Sequence, residues 1–181
     1  MSIFGEVLRV LRQAELGCIW LSPIGGVRSG PRLQCVDPYG LVMDLWFEAS
    51  GSRKHYALGN GAYLRATRSI AGAGGPIGAD IALVSKARNA VLLLECKWSP
   101  DPSYVARDGF HQAASYALDA RNGLAERVWS FIVGPAEIIP EPNLTTQLER
   151  QSSIVLGSVS CDHLPALVDA FRSLNPRALA P

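Results

Sequence analysis

Residues 75–98, GPIGADIALVSKARNAVLLLECKW, decide how the chain is read. A Gly/Pro loop leads into a short apolar run that starts at Asp80. A polar turn follows, then a second run that is almost purely aliphatic from Val91 to Leu94 and becomes charged at Glu95 and Lys97. Short apolar runs bounded by turn residues read as strands. Side chains alternate along a strand, so Val91, Leu93, Glu95 and Lys97 share one face, while Leu92, Leu94 and Cys96 share the other. Opposite charges at the end of a buried strand are costly unless they have partners or work. If Asp80 opens the neighbouring strand, its carboxylate sits beside that of Glu95. Two carboxylates and an ammonium at a sheet edge suit divalent-metal hydrolysis.

Upstream, Ser2 to Leu16 is expected to be a helix, with Ser2 as N-cap, Phe4, Val7, Leu8 and Leu11 at helical spacing, and Gly17 as the stop. Glu6 falls opposite that stripe and Glu15 inside it. Short strands are expected at Cys18–Trp20 and Leu33–Val36, within a Gly/Pro/Arg-rich stretch. Leu41 to Glu48 reads as a strand with Leu41, Met43, Leu45 and Phe47 on one face and Val42, Asp44, Trp46 and Glu48 on the other. Asp44 and Glu48 are candidates for further metal ligands, or that face is a solvated exterior partly covered by Trp46. Residues 49–75 interleave Arg53, Lys54, His55, Tyr56, Tyr63, Arg65 and Arg68, a mixture of cations and aromatics suited to phosphates and bases as well as to ordinary loops, with a strand expected around Ala62–Thr67.

Downstream, Ser99–Arg107 reads as a loop and Asp108 as the N-cap of a helix reaching Asn122 and closed by Gly123. On that helix Gln112, Tyr116 and Asp119 share a polar face. Arg127–Gly134 and Ser153–Val159 read as strands, and Asp162 as the cap of a last helix to about Leu174. The order helix, strands, helix, strand, then a strand–helix extension predicts a single α/β domain over residues 1–181 with a mixed central sheet.

Whole-chain composition is that of a globular protein, with 181 residues, 48% hydrophobic and 18% charged. The net charge of +1 argues mildly against a large duplex footprint, although Arg28/Arg32, Arg53/Lys54/His55 and Arg65/Arg68 form local basic clusters. Cys18, Cys35, Cys96 and Cys161 are scattered without a C-x-x-C pair, which predicts reduced thiols rather than structural zinc. No apolar run approaches the roughly 20 residues of a membrane span. A cytoplasmic chain with no membrane partner is the expectation.

Asp80, fourteen residues, then Glu95-Cys96-Lys97 resembles the PD-(D/E)xK nuclease superfamily, and Gln112 with Tyr116 resembles the Q-x-x-x-Y helix of its RecB-like members. The resemblance spans about residues 41–134. Pro76 lies four residues before Asp80 rather than immediately before it, so the match is to the looser form of the motif. It implies a restriction-endonuclease-like fold and a Mg²⁺- or Mn²⁺-dependent nuclease acting on nucleic acid, DNA first. Asp80, Glu95 and the Cys96 carbonyl would hold the metal, with Glu15, Asp44 or Glu48 as a further ligand. Lys97 would orient the attacking water, and Gln112 and Tyr116 would hold the site or contact the nucleic-acid backbone, with Arg53, Lys54, Arg65 and Arg68 on phosphates. Substrate choice by so small a chain points to a homodimer or a partner subunit.

Two other readings stand beside this one. A chain with this fold could bind nucleic acid or join an assembly without cleaving. The run IAGAGGPIGADIAL also looks like a dinucleotide loop, but Ile77 stands where G-x-G-x-x-G needs its last glycine. His55, His111 and His163 show no metal spacing, and Cys96 is expected to be a core residue.

Overall fold

The computed structural model describes residues 3–13, 17–23, 30–36, 40–72, 74–87, 89–143 and 153–172. Ser2, Glu15 and Arg28 lie outside these residues. A seven-stranded sheet runs in chain order through β1 (Gly17–Trp20), β2 (Leu33–Val36), β3 (Val42–Phe47), β4 (Ile81–Ser85), β5 (Ala90–Cys96), β6 (Arg127–Gly134) and β7 (Ile154–Ser160). The first five strands form an antiparallel meander, whereas β5, β6 and β7 are parallel. Antiparallel neighbours can be joined by tight turns, but the parallel step from β5 to β6 needs a crossover, and α4 (Pro102–Arg121) supplies it. The architecture is thus α/β with a mixed sheet flanked by helices.

Alternation along the strands divides the core in two. Leu92 and Leu94 of β5 face Phe4, Val7 and Leu11 of α1 (Ile3–Gln13) and Leu167 and Phe171 of α5 (Leu164–Arg172). Val91 and Leu93 face the other way, against Ala117 and Ala120 of α4, together with Trp46, Ala82 and Leu124. The second face of β3 is therefore no solvated exterior: Trp46 is fully buried and Asp44 nearly so. Between β3 and β4 the chain makes two short helices, α2 (Ser52–His55) and α3 (Ala62–Thr67). Residues 62–67 were expected as a strand. Their first turn is fixed instead from a distance, where the Tyr63 amide donates to the Asp119 carboxylate at 3.1 Å.

Four further corrections follow. The N-cap of helix α4 is Asp101, seven residues before Asp108; it accepts from the Ser103 amide at 2.9 Å, and Pro102 fits the first turn, where no amide is needed. Asp162 lies in a 3-10 turn (Cys161–His163), and Ser160 precedes that turn. Cys18 and Cys35 face each other across β1 and β2 as a disulfide, leaving Cys96 and Cys161 as the free cysteines. Glu6, which the helical wheel places opposite the apolar stripe, is buried on α1 and accepts from Arg9 Nε at 3.0 Å.

Candidate active site

Strand register brings the two acids together. Ile81 pairs with Leu94, so one step further along the antiparallel ladder sets Asp80 opposite Glu95. Both lie on the face shared by Ala82 and Leu93, the side covered by α4. Asp80 Oδ2 accepts the Cys96 amide at 2.8 Å, so a side chain closes the end of the hairpin. The loop into Asp80 runs hard against the residues after β3: a Cβ at Gly78 would lie 2.2 Å from the Ser50 amide nitrogen. Glycine is required there by close backbone approach.

Glu95 and Lys97 are both buried, and Lys97 Nζ donates to Glu95 Oε1 at 2.6 Å. The second oxygen, Glu95 Oε2, is buried without a hydrogen-bond partner. An unsatisfied buried carboxylate oxygen is among the costlier features a fold can hold. Burial raises the Glu95 pKa above the ordinary value, the Lys97 hydrogen bond opposes the shift, and the Asp80 charge adds to it. Tyr116, half-buried on α4, has its phenol pushed up to about 12 by burial and by the negative charges of Glu95 and Asp80. It therefore keeps its proton in the field of two carboxylates. Cys96 points to the opposite core, where burial raises its thiol pKa.

Other expected residues are placed differently. Gln112 is exposed one turn before Tyr116. Asp44 pairs across β3–β4 with Val84, four residues along β4 from Asp80, or about 13 Å at strand rise. Its carboxylate is taken up by Tyr56 Oη at 2.6 Å and Gln34 Nε2 at 3.1 Å, which removes it from the candidate ligands. Glu48 donates its amide to the Asp80 carbonyl at 2.7 Å, but it adopts a left-handed φ of 57° and its side chain is exposed. Among the described residues, no group of three or more His, Cys, Asp or Glu draws together as a metal cluster. The carboxylate pair thus stands without a third acid among the described residues.

Arg53 is not the phosphate-facing cation expected. It is buried, and its guanidinium donates to the carbonyls of Gly59, Asp119 and Asn122, each at 2.9 Å, and lies 3.7 Å from the Asp119 carboxylate. A Cβ on Gly61 would lie only 2.0 Å from that same carboxylate. Asp119 therefore ties α2 and α3 to α4 one turn beyond Tyr116, a role its place on the polar face did not reveal. Lys54, Arg65 and Arg68 are exposed. His55 packs edge-on against Trp46, His163 Nδ1 is 2.8 Å from Ser160 Oγ, and His111 is exposed, so the histidines do not enter the site. Comparison of this chain with protein-family models, with curated proteins and with solved structures finds no match to any of them.

Proposed function

We propose that the chain is a metal-dependent nuclease that hydrolyses phosphodiester bonds in nucleic acid, DNA first, in the manner of the PD-(D/E)xK enzymes it resembles. One observation carries the reading: Glu95 Oε2 is buried opposite Asp80 without a full hydrogen bond, only the Asp80 backbone amide lying near the carboxylate, while Lys97 occupies the other oxygen. An oxygen pair short of a positive partner fits a hard divalent cation. Asp80, Glu95 and the Cys96 carbonyl would hold Mg²⁺ or Mn²⁺, which when bound supplies a water of lowered pKa and positive charge against the phosphate. Lys97, fixed through Oε1, keeps an ammonium at the reacting phosphate, where it orients the water and offsets charge developing on the phosphoryl oxygens. Tyr116, its phenol pushed up to about 12, stays protonated and does not act as a base. The antiparallel β3–β4–β5 meander, the α4 crossover and the parallel β6 agree with the order this resemblance implies.

A non-cleaving nucleic-acid-binding or assembly subunit is the second reading, favoured by the lack of a third acid among the described residues. The dinucleotide reading loses its footing because Gly78 leads into a strand, not into the helix whose N-terminus would face a pyrophosphate. Plasmid DNA incubated with Mg²⁺ or Mn²⁺ separates the first two. Wild type should nick or linearise it, and Asp80→Ala and Lys97→Ala should each lower the rate by about 10²-fold or more. Absence of metal-dependent cleavage on duplex, single-stranded and RNA substrates alike would sink the enzyme reading.

A further inference from the structure

Residues 49–79 leave the sheet after β3 and return to it at Asp80, and this excursion contains no aspartate or glutamate. Its two ends are joined at the candidate site, where the Glu48 amide donates to the Asp80 carbonyl at 2.7 Å and the Ala49 amide to the Ala79 carbonyl at 2.9 Å. Helix α3, in the middle, buries none of its residues. Arg65 sits on its last turn and Arg68 caps it; three residues apart, they share one face. Those two and Lys54 are exposed, and none makes an ion pair with a described residue. The remaining cation, Arg53, is spent on holding the excursion in place. It and the Tyr63 amide bind Asp119, so the root of the arm is fixed to α4 beside Tyr116.

An acid-free excursion, rooted beside Asp80 and on α4, whose exposed cations have no ion-pair partner among the described residues, offers positive charge to an anionic chain bound at the site. We propose that the excursion carrying α2 and α3 is an arm that holds the phosphate backbone of a nucleic acid whose reacting phosphate lies at Asp80 and Glu95, with Lys54, Arg65 and Arg68 as its contacts. This rests on the nuclease reading for the position of the reacting phosphate, but not for the grip itself. Each phosphate neutralised releases counterions, so each contact adds about 0.9 to the slope of log binding constant against log salt.

The test uses the full chain carrying Asp80→Ala, so that no cleavage intervenes, and a fluorescein-labelled duplex of random sequence read by anisotropy across a salt series. Adding Arg65→Ala and Arg68→Ala should weaken binding about tenfold at moderate salt and reduce the slope by about 1.8, and adding Lys54→Ala should take off about 0.9 more. The same charge change at Arg12→Ala with Arg121→Ala, exposed positions outside the arm, should leave the slope unchanged. Melting temperatures should stay level across the set, because the altered side chains are exposed. An unchanged slope in the arm variants, or no binding by the Asp80→Ala chain, overturns the arm. Cleavage by wild type would leave the nuclease reading standing in that case. Arm-dependent binding without cleavage by wild type would sink the nuclease reading alone.

Discussion

Glu95 carries the conflict on which the site turns. Its carboxyl is buried, one oxygen accepts from Lys97 and the other makes no full hydrogen bond, and its pKa is raised chiefly by burial. A carboxyl whose folded-state pKa is raised contributes stability that is complete below its unfolded value, about pH 4, and is lost as the pH rises through the folded value. Glu95→Gln removes that loss. In EDTA, the melting temperature of Glu95→Gln minus that of wild type should therefore grow as the pH is raised above about 4, as followed by circular dichroism. A flat difference would mean that the burial of Glu95 costs nothing on ionisation. Divalent cation should raise the wild-type melting temperature and leave Glu95→Gln unchanged, since ligands that bind only the native state stabilise it.

Among the elements, α4 does the most positioning. It is the crossover that makes β6 parallel to β5, it covers the face bearing Asp80 and Glu95, and it carries Tyr116 and Asp119 one turn apart. The Arg53–Asp119 contact joins it to the α2–α3 excursion through partners 66 residues apart. Removing one member of a buried charge pair strands the other, at a cost of about 3 kcal/mol. Arg53→Met should therefore lower unfolding stability by about 3 kcal/mol in urea, while the exposed neighbour Lys54→Met should change it by less than about 0.5 kcal/mol. Equal effects would mean that the guanidinium contacts are incidental.

At the scale of the molecule, one edge of the sheet is covalently closed. Cys18 and Cys35 are 17 residues apart and face each other on β1 and β2. Closing a loop of that length constrains the unfolded chain by about 3 kcal/mol. Denatured, unreduced protein should alkylate at two thiols, Cys96 and Cys161, and reduced protein at four, counted by mass spectrometry. Reduction should lower stability by about 3 kcal/mol; four reactive thiols without reductant would refute the bridge. The centre of the same sheet is buried on both faces, under α1 and α5 on one side and under α4 and the excursion on the other. That explains why the aliphatic run of β5 shows little alternation until Glu95.

By itself, the sequence determined the hairpin, the shared face of Asp80, Glu95 and Lys97, the exact span of β6 and the α/β order. These follow from apolar runs, turn residues and the period-two alternation of strands, all of which are local. Only the tertiary structure decided that residues 62–67 are helical, that Asp44 is held by Tyr56 and Gln34, that Arg53 is a buried strut and that Cys18 bonds Cys35. In each case the deciding partner is remote in the chain or across a strand pair whose register no local pattern states. A hydrogen bond or ion pair between distant residues competes with local propensity on equal terms, and it becomes visible only once the sheet has brought the two ends together.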